Sequence, residues 1–108
     1  MPILRYCLSR NPDNYTEAVK HPPTKAERTH LDRVASLGCA ICGDDAEIHH
    51  IRTGFGGGQR APDWLTIPLC FLHHRGGLGY HHSPQTFQSC HGTELNLLAD
   101  TYRRLSDG

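Results

Sequence analysis

Two short segments of this 108-residue chain share one spacing. Cys39-Ala40-Ile41-Cys42 and Cys70-Phe71-Leu72-His73 each place two metal-ligating side chains three positions apart. A pair at that spacing spans one tight turn. Two such turns, separated by a hairpin, can close a tetrahedral Cys3His site. Four protein donors leave no room for substrate, so a structural zinc ion is the expected occupant. A chain this small forms one modest core and gains from such a crosslink. A disulfide framework is the weaker use of the five cysteines. Their number is odd, C-x-x-C is too tight for a typical structural pair, and histidines crowd the same region. Free thiols imply a reducing, cytoplasmic compartment.

The elements around these turns read as α+β. Residues 1–23 carry Pro2, Pro12, Pro22 and Pro23 with little periodicity, and are read as an N-terminal arm. Residues 24–108 are read as the folded domain. Thr24 and Glu27 form a capping-box pattern, Leu31, Val34 and Ala35 an apolar stripe, and Gly38 a stop, which predicts a helix over 25–37. "AEIHHI" and "WLTIPL" read as strands, the second broken late by Pro68, with the Gly-rich "RTGFGGGQRAPD" between them. "CFLHHR" opens a short helix ended by Gly76 and Gly77. Ser83 and Pro84 begin a helix through Phe87. In "TELNLLADTYRRL", Leu95, Leu98, Tyr102 and Leu105 are expected on one buried face. Trp64 is expected as a core anchor, His30 as a surface residue, and Cys7 and Cys90 as free thiols.

Seven of the nine histidines fall between His49 and His91, which marks a site rather than background. Adjacent residues on a strand point to opposite faces, so His49 and His50 should play different roles. His73 and His74 sit about 100° apart around a helix, so His74 should face away from the cysteine cluster. His49, His50 and His74 are then left for a second centre with an open position, as catalysis requires. One of His49 and His50 would hold a divalent ion. The other would be the general base, since imidazole titrates near neutrality.

The segments "AEIHHI" and "IPLCFLHH", with the C-x-x-C before them, resemble the HNH nucleases with a treble-clef, ββα-metal core. "AEIHHIRTG", "IPLCFLHHRGG" and the later His-Ser-Pro-x-x-x-Phe resemble more closely the phage recombination-enhancement, RecA-dependent nucleases. The resemblance covers about residues 27–105. It implies a zinc-stabilised core with flanking helices, a metal-dependent DNA endonuclease activity, and a bacterial or phage-infected host. It implies His49 as ligand of the active ion (Mg2+, Mn2+ or Zn2+), His50 as general base, and His74 as a further ligand. His81 fits the ligand that follows a Gly-rich turn in the closer family, with His82 the alternative. Leu78 stands where many HNH enzymes carry another ligand. The central Asn of many HNH motifs is missing, and Asp63 or Thr66 occupies its region.

The partner expected from the resemblance is DNA, with a recombinase filament as a second one. Lys and Arg total 11, as do Asp and Glu, so any DNA contact must use a local patch. Arg52, Arg60 and Arg75 flank the expected site and suit phosphate contacts. The beginning of the sequence lacks the apolar core of a signal peptide, and no stretch is apolar enough to span a membrane. The competing expectation is a non-catalytic treble-clef module that binds DNA or a protein and holds one zinc ion.

Overall fold

The computed structural model describes residues 22–107. Its elements run α1 (Lys25–Ser36), β1 (Glu47–His50), β2 (Thr66–Leu69), α2 (Phe71–His74), α3 (Pro84–His91) and α4 (Glu94–Asp107). The architecture is α+β: one two-stranded antiparallel sheet with helices packed around it. The N-terminal arm up to residue 21, including Cys7, lies outside the described residues.

Helix α1 starts with the full capping box. The Thr24 hydroxyl accepts from the Glu27 N–H at 3.1 Å, and the Glu27 carboxylate accepts from the Thr24 N–H at 2.7 Å. Helix α1 ends at the entry to the first turn. Gly38 has φ +82°, and a Cβ there would lie 2.9 Å from the Gly43 carbonyl oxygen. The turn is then closed by Cys39 N–H to Asp44 O at 2.7 Å and Gly43 N–H to Cys39 O at 2.9 Å. Ala40 N–H donates to Pro68 O at 2.9 Å, which joins the turn to β2.

In the sheet, Glu47 pairs with Leu69, Ile48 with Pro68, His49 with Ile67 and His50 with Thr66. Pro68 does not break β2 as expected. It is buried inside the strand, where a two-stranded sheet leaves each strand an edge that needs no N–H. Ile51, Ala61, Ile67, Leu69, Tyr80, Phe87 and Leu97 form the core, together with Cys39 and Cys70.

Helix α4 packs on β2, and α1 packs against both strands and α4. The buried positions of α4 are Glu94, Leu97, Thr101 and Leu105. The face is therefore rotated from the expected one, and Leu95 and Tyr102 are exposed. A buried carboxylate at position 94, which faces His49 and the Arg52 and Thr53 backbone, sets that rotation. His30 is buried rather than on the surface. It lies against Trp64 and Tyr102, with ring centroids 4.8 and 5.6 Å away. Trp64 in turn is partly exposed and caps His30 instead of anchoring the core. Cys90 is free, as expected, and exposed.

Gly38→Ala would force a left-handed backbone on a residue with a Cβ, against a carbonyl that cannot move without opening the turn. A loss of about 1–3 kcal/mol is expected, read from the shift of the denaturant midpoint.

Candidate metal centres

The first cluster gathers Cys39, Cys42, Cys70 and His73 from the two turns. Their donor atoms all lie within 4.8 Å of one another. Cys42 Sγ is 3.7 Å from Cys70 Sγ, and His73 Nδ1 is 3.2 Å from Cys70 Sγ and 3.8 Å from Cys39 Sγ. A tetrahedral ion with bonds of about 2.3 Å to sulfur has edges of about 3.8 Å, so the observed separations fit one ion. They are also far too long for a disulfide, and the four described cysteines are free. Cys70 caps α2, with its sulfur accepting from the His73 N–H. Burial opposes ionisation of Cys39. The backbone N–H groups of Cys70, Cys42 and Ile41 outweigh that and lower its pKa, which favours the thiolate that binds metals.

The second cluster gathers His49 from β1, His74 from the end of α2 and His81 from the loop after it. The donor nitrogens of these three again lie within 4.8 Å of one another. His74 does face away from the cysteine cluster, as the helix geometry requires. His81 is brought back by the loop: His81 N–H donates to His74 O at 3.1 Å, and Tyr80 N–H to His73 O at 3.0 Å. Gly79 permits that approach, since a Cβ there would lie 2.7 Å from the His74 carbonyl. His82 is exposed and outside the cluster, as is Leu78.

The other ring nitrogens are held by carboxylates. His49 Nε2 is 2.6 Å from Glu94 Oε2, with both side chains fully buried. His74 Nδ1 is 2.7 Å from Glu47 Oε1. A carboxylate only accepts, so these nitrogens carry the protons. The lone pairs are then left on His49 Nδ1 and His74 Nε2. His49 Nδ1 is the one buried side-chain N or O atom among the described residues without a hydrogen-bond partner. His74 Nε2 is 3.1 Å from His81 Nε2, close to the ~3.3 Å edge of a tetrahedral ion with imidazole ligands. An orphaned buried lone pair beside two more imidazoles is what a metal ion would satisfy. Three donors leave a position open.

Charge follows the same pattern. The Arg75 guanidinium and then His74 hold the Glu47 carboxyl at about 2. Burial would raise Glu94, but His49, Thr53 and the backbone N–H groups of Arg52 and Thr53 bring it to about 2. Burial, followed by neighbouring charges, lowers the His81 pKa. Burial also lowers that of His74, partly opposed by Glu47. Both rings are therefore biased to the neutral form that ligates.

His50 is not in this trio. Its Nε2 is 2.7 Å from Asp63 Oδ1, and Arg60 Nη2 lies 3.1 Å from the same nitrogen. One ring nitrogen cannot donate to Asp63 and accept from Arg60 at once. The shorter contact to a carboxylate takes the proton, which leaves Nδ1 as the basic atom. Burial lowers the His50 pKa, Asp63 opposes this, and Arg60 and His49 add to it. The Thr66 hydroxyl donates to the Asp63 carbonyl at 2.9 Å. So Asp63 touches the ring, and Thr66 supports Asp63. Among the three arginines, Arg52 and Arg60 are exposed beside the Gly-rich loop, while Arg75 is paired with Glu47 at 2.7 Å.

Glu94 and Glu47 were not foreseen as parts of a site. Glu47 adjoins the histidine doublet, but Glu94 lies 45 residues from His49. Its only local signal is an acid in the first turn of a helix, which is common for other reasons.

Fold and site together define a small α+β domain with one Cys/His cluster and one all-histidine cluster, each of which could hold a metal ion. The chain belongs to a protein family described as "Protein of unknown function (DUF968)", whose model matches residues 9–106. No curated protein matches the chain. No helix among the described residues is long and apolar enough to cross a membrane.

Two outcomes are expected for these centres. Cys70→Ala should unfold the domain, seen as loss of cooperative melting and of bound metal. Gly79→Ala should push His81 off the second cluster. Its folded product should keep the first ion and lose most affinity for a second, measured by metal content after dialysis.

Proposed function

We propose that this protein is a metal-dependent HNH endonuclease, built on a zinc-stabilised treble-clef, ββα-metal core, that hydrolyses DNA phosphodiester bonds. The observation that carries this reading is the buried, unpartnered Nδ1 of His49 beside His74 and His81, with the Asp63-held His50 next along the same strand. Cys39, Cys42, Cys70 and His73 are assigned the structural zinc. His49, His74 and His81 are assigned the active ion. Neutral imidazoles suit borderline ions such as Zn2+ better than Mg2+, with Mn2+ between them in ligand preference.

An ion bound there would polarise the scissile phosphodiester and stabilise charge on the leaving oxygen. The remaining work falls to the chain. His50 Nδ1 takes a proton from water as its oxygen bonds to phosphorus and the ester P–O bond breaks. Asp63 steadies the imidazolium that results and keeps the ring in its reactive tautomer. Arg60, beside His50, and Arg52, at the root of the Gly-rich loop, supply local phosphate contacts. With no net charge on the chain, binding should be weak, salt-sensitive and indifferent to sequence.

The test is cleavage of supercoiled plasmid with Zn2+, Mn2+ or Mg2+, repeated on DNA carrying a recombinase filament. His50→Ala should cut about 10²–10⁴-fold more slowly while keeping its fold and both ions. A folded His50→Ala protein with full activity would refute the base assignment. No cleavage under any condition, by a folded wild-type protein holding one ion, would favour the non-catalytic zinc module.

A further inference from the structure

The Glu94 carboxylate does more than balance one histidine. Its Oε1 accepts from Thr53 N–H at 2.8 Å, Thr53 Oγ1 at 2.7 Å and Arg52 N–H at 2.9 Å. Its Oε2 accepts from His49 Nε2 at 2.6 Å and shares the Arg52 N–H at 2.9 Å. The side chain is 1% exposed and belongs to the first residue of α4. One buried carboxylate thus joins three segments: β1 through His49, the root of the Gly-rich loop, and the C-terminal helix.

We propose that Glu94 is a positioning residue that locks His49 in the Nε2–H tautomer, so that its buried Nδ1 stays a metal donor. The same carboxylate ties the second metal centre to the root of the Gly-rich loop. This deepens the nuclease reading and rests on its assignment of His49 to the active ion.

The five contacts dictate how an amide would be seated at this position. Two backbone N–H groups and a hydroxyl converge on Oε1, and backbone donors cannot become acceptors. In Glu94→Gln, the amide oxygen must therefore take the Oε1 side. The amide NH2 is then turned toward His49 Nε2, which has to accept. The His49 proton moves to Nδ1, and the donor lone pair is lost from the atom that faces His74 and His81. A purely structural Glu94 predicts otherwise: the near-isosteric Gln keeps the loop contacts and leaves His49 unchanged.

The experiment uses the full chain loaded with one equivalent of Zn2+ and then titrated with Co2+, followed by its visible absorption. Imidazole nitrogen shifts of His49 are read by NMR before the Co2+ is added. Wild type should show protonated Nε2 and bind Co2+. Glu94→Gln should show protonated Nδ1 and bind Co2+ about 10–100-fold more weakly, while the Thr53 amide keeps its protection from hydrogen exchange. Unchanged tautomer or unchanged affinity in Glu94→Gln would overturn the proposal. So would protonated Nδ1 in wild type, a measurement that needs no variant to fold. Failure to bind Co2+ in wild type would overturn both this and the assignment of His49. Wild-type binding without plasmid cleavage would overturn the nuclease reading and leave the Glu94 assignment standing.

Discussion

The domain depends on the meeting of Cys39 and Cys42 with Cys70 and His73. A hairpin of two four-residue strands is marginal by itself in water. Here its two ends are drawn together by four donors spaced for one tetrahedral ion. The first turn is stitched to β2 through Ala40 and Pro68, and the second caps α2 with Cys70. That junction fixes the direction in which α2 leaves the sheet, and therefore where His74 points. The second cluster thus inherits its geometry from the first.

Around the second cluster the recurring device is a carboxylate on the far nitrogen of a histidine. Glu94 holds His49, Glu47 holds His74, and Asp63 holds His50. Each pair chooses which nitrogen keeps its lone pair, because a carboxylate can only accept. The three acids come from the C-terminal helix, β1 and the loop before β2. Remote segments thereby decide the chemistry of two adjacent residues on one strand. This also explains the unexpected face of α4: Glu94 must turn inward to meet His49, Arg52 and Thr53, and Leu97, Thr101 and Leu105 follow it at helical spacing.

Much of this was legible in the chain. The shared three-residue spacing named the members of the first cluster, and strand alternation separated His49 from His50. The capping box at Thr24 and the N-terminal Ser83-Pro84 of α3 also appeared where local chemistry placed them. The misreadings involve partners distant in sequence. His30 is buried because Trp64 and Tyr102 close over it. Pro68 sits within a strand because the sheet has only two strands among the described residues. The α4 face misled because Leu95 and Tyr102 match an apolar stripe as well as the true one does.

The donor chemistry and its local direction are written in the order of the residues. Ligand spacing, strand period and helix turn are properties of a few consecutive residues, and they hold before the chain folds. The partnering of the histidine nitrogens arises from long-range packing instead. Glu94 reaches His49 across 45 positions, Asp63 reaches His50 across 13, and Glu47 reaches His74 across 27. No local rule encodes such contacts, because a tautomer is set by whichever acid the packed core brings within hydrogen-bond reach.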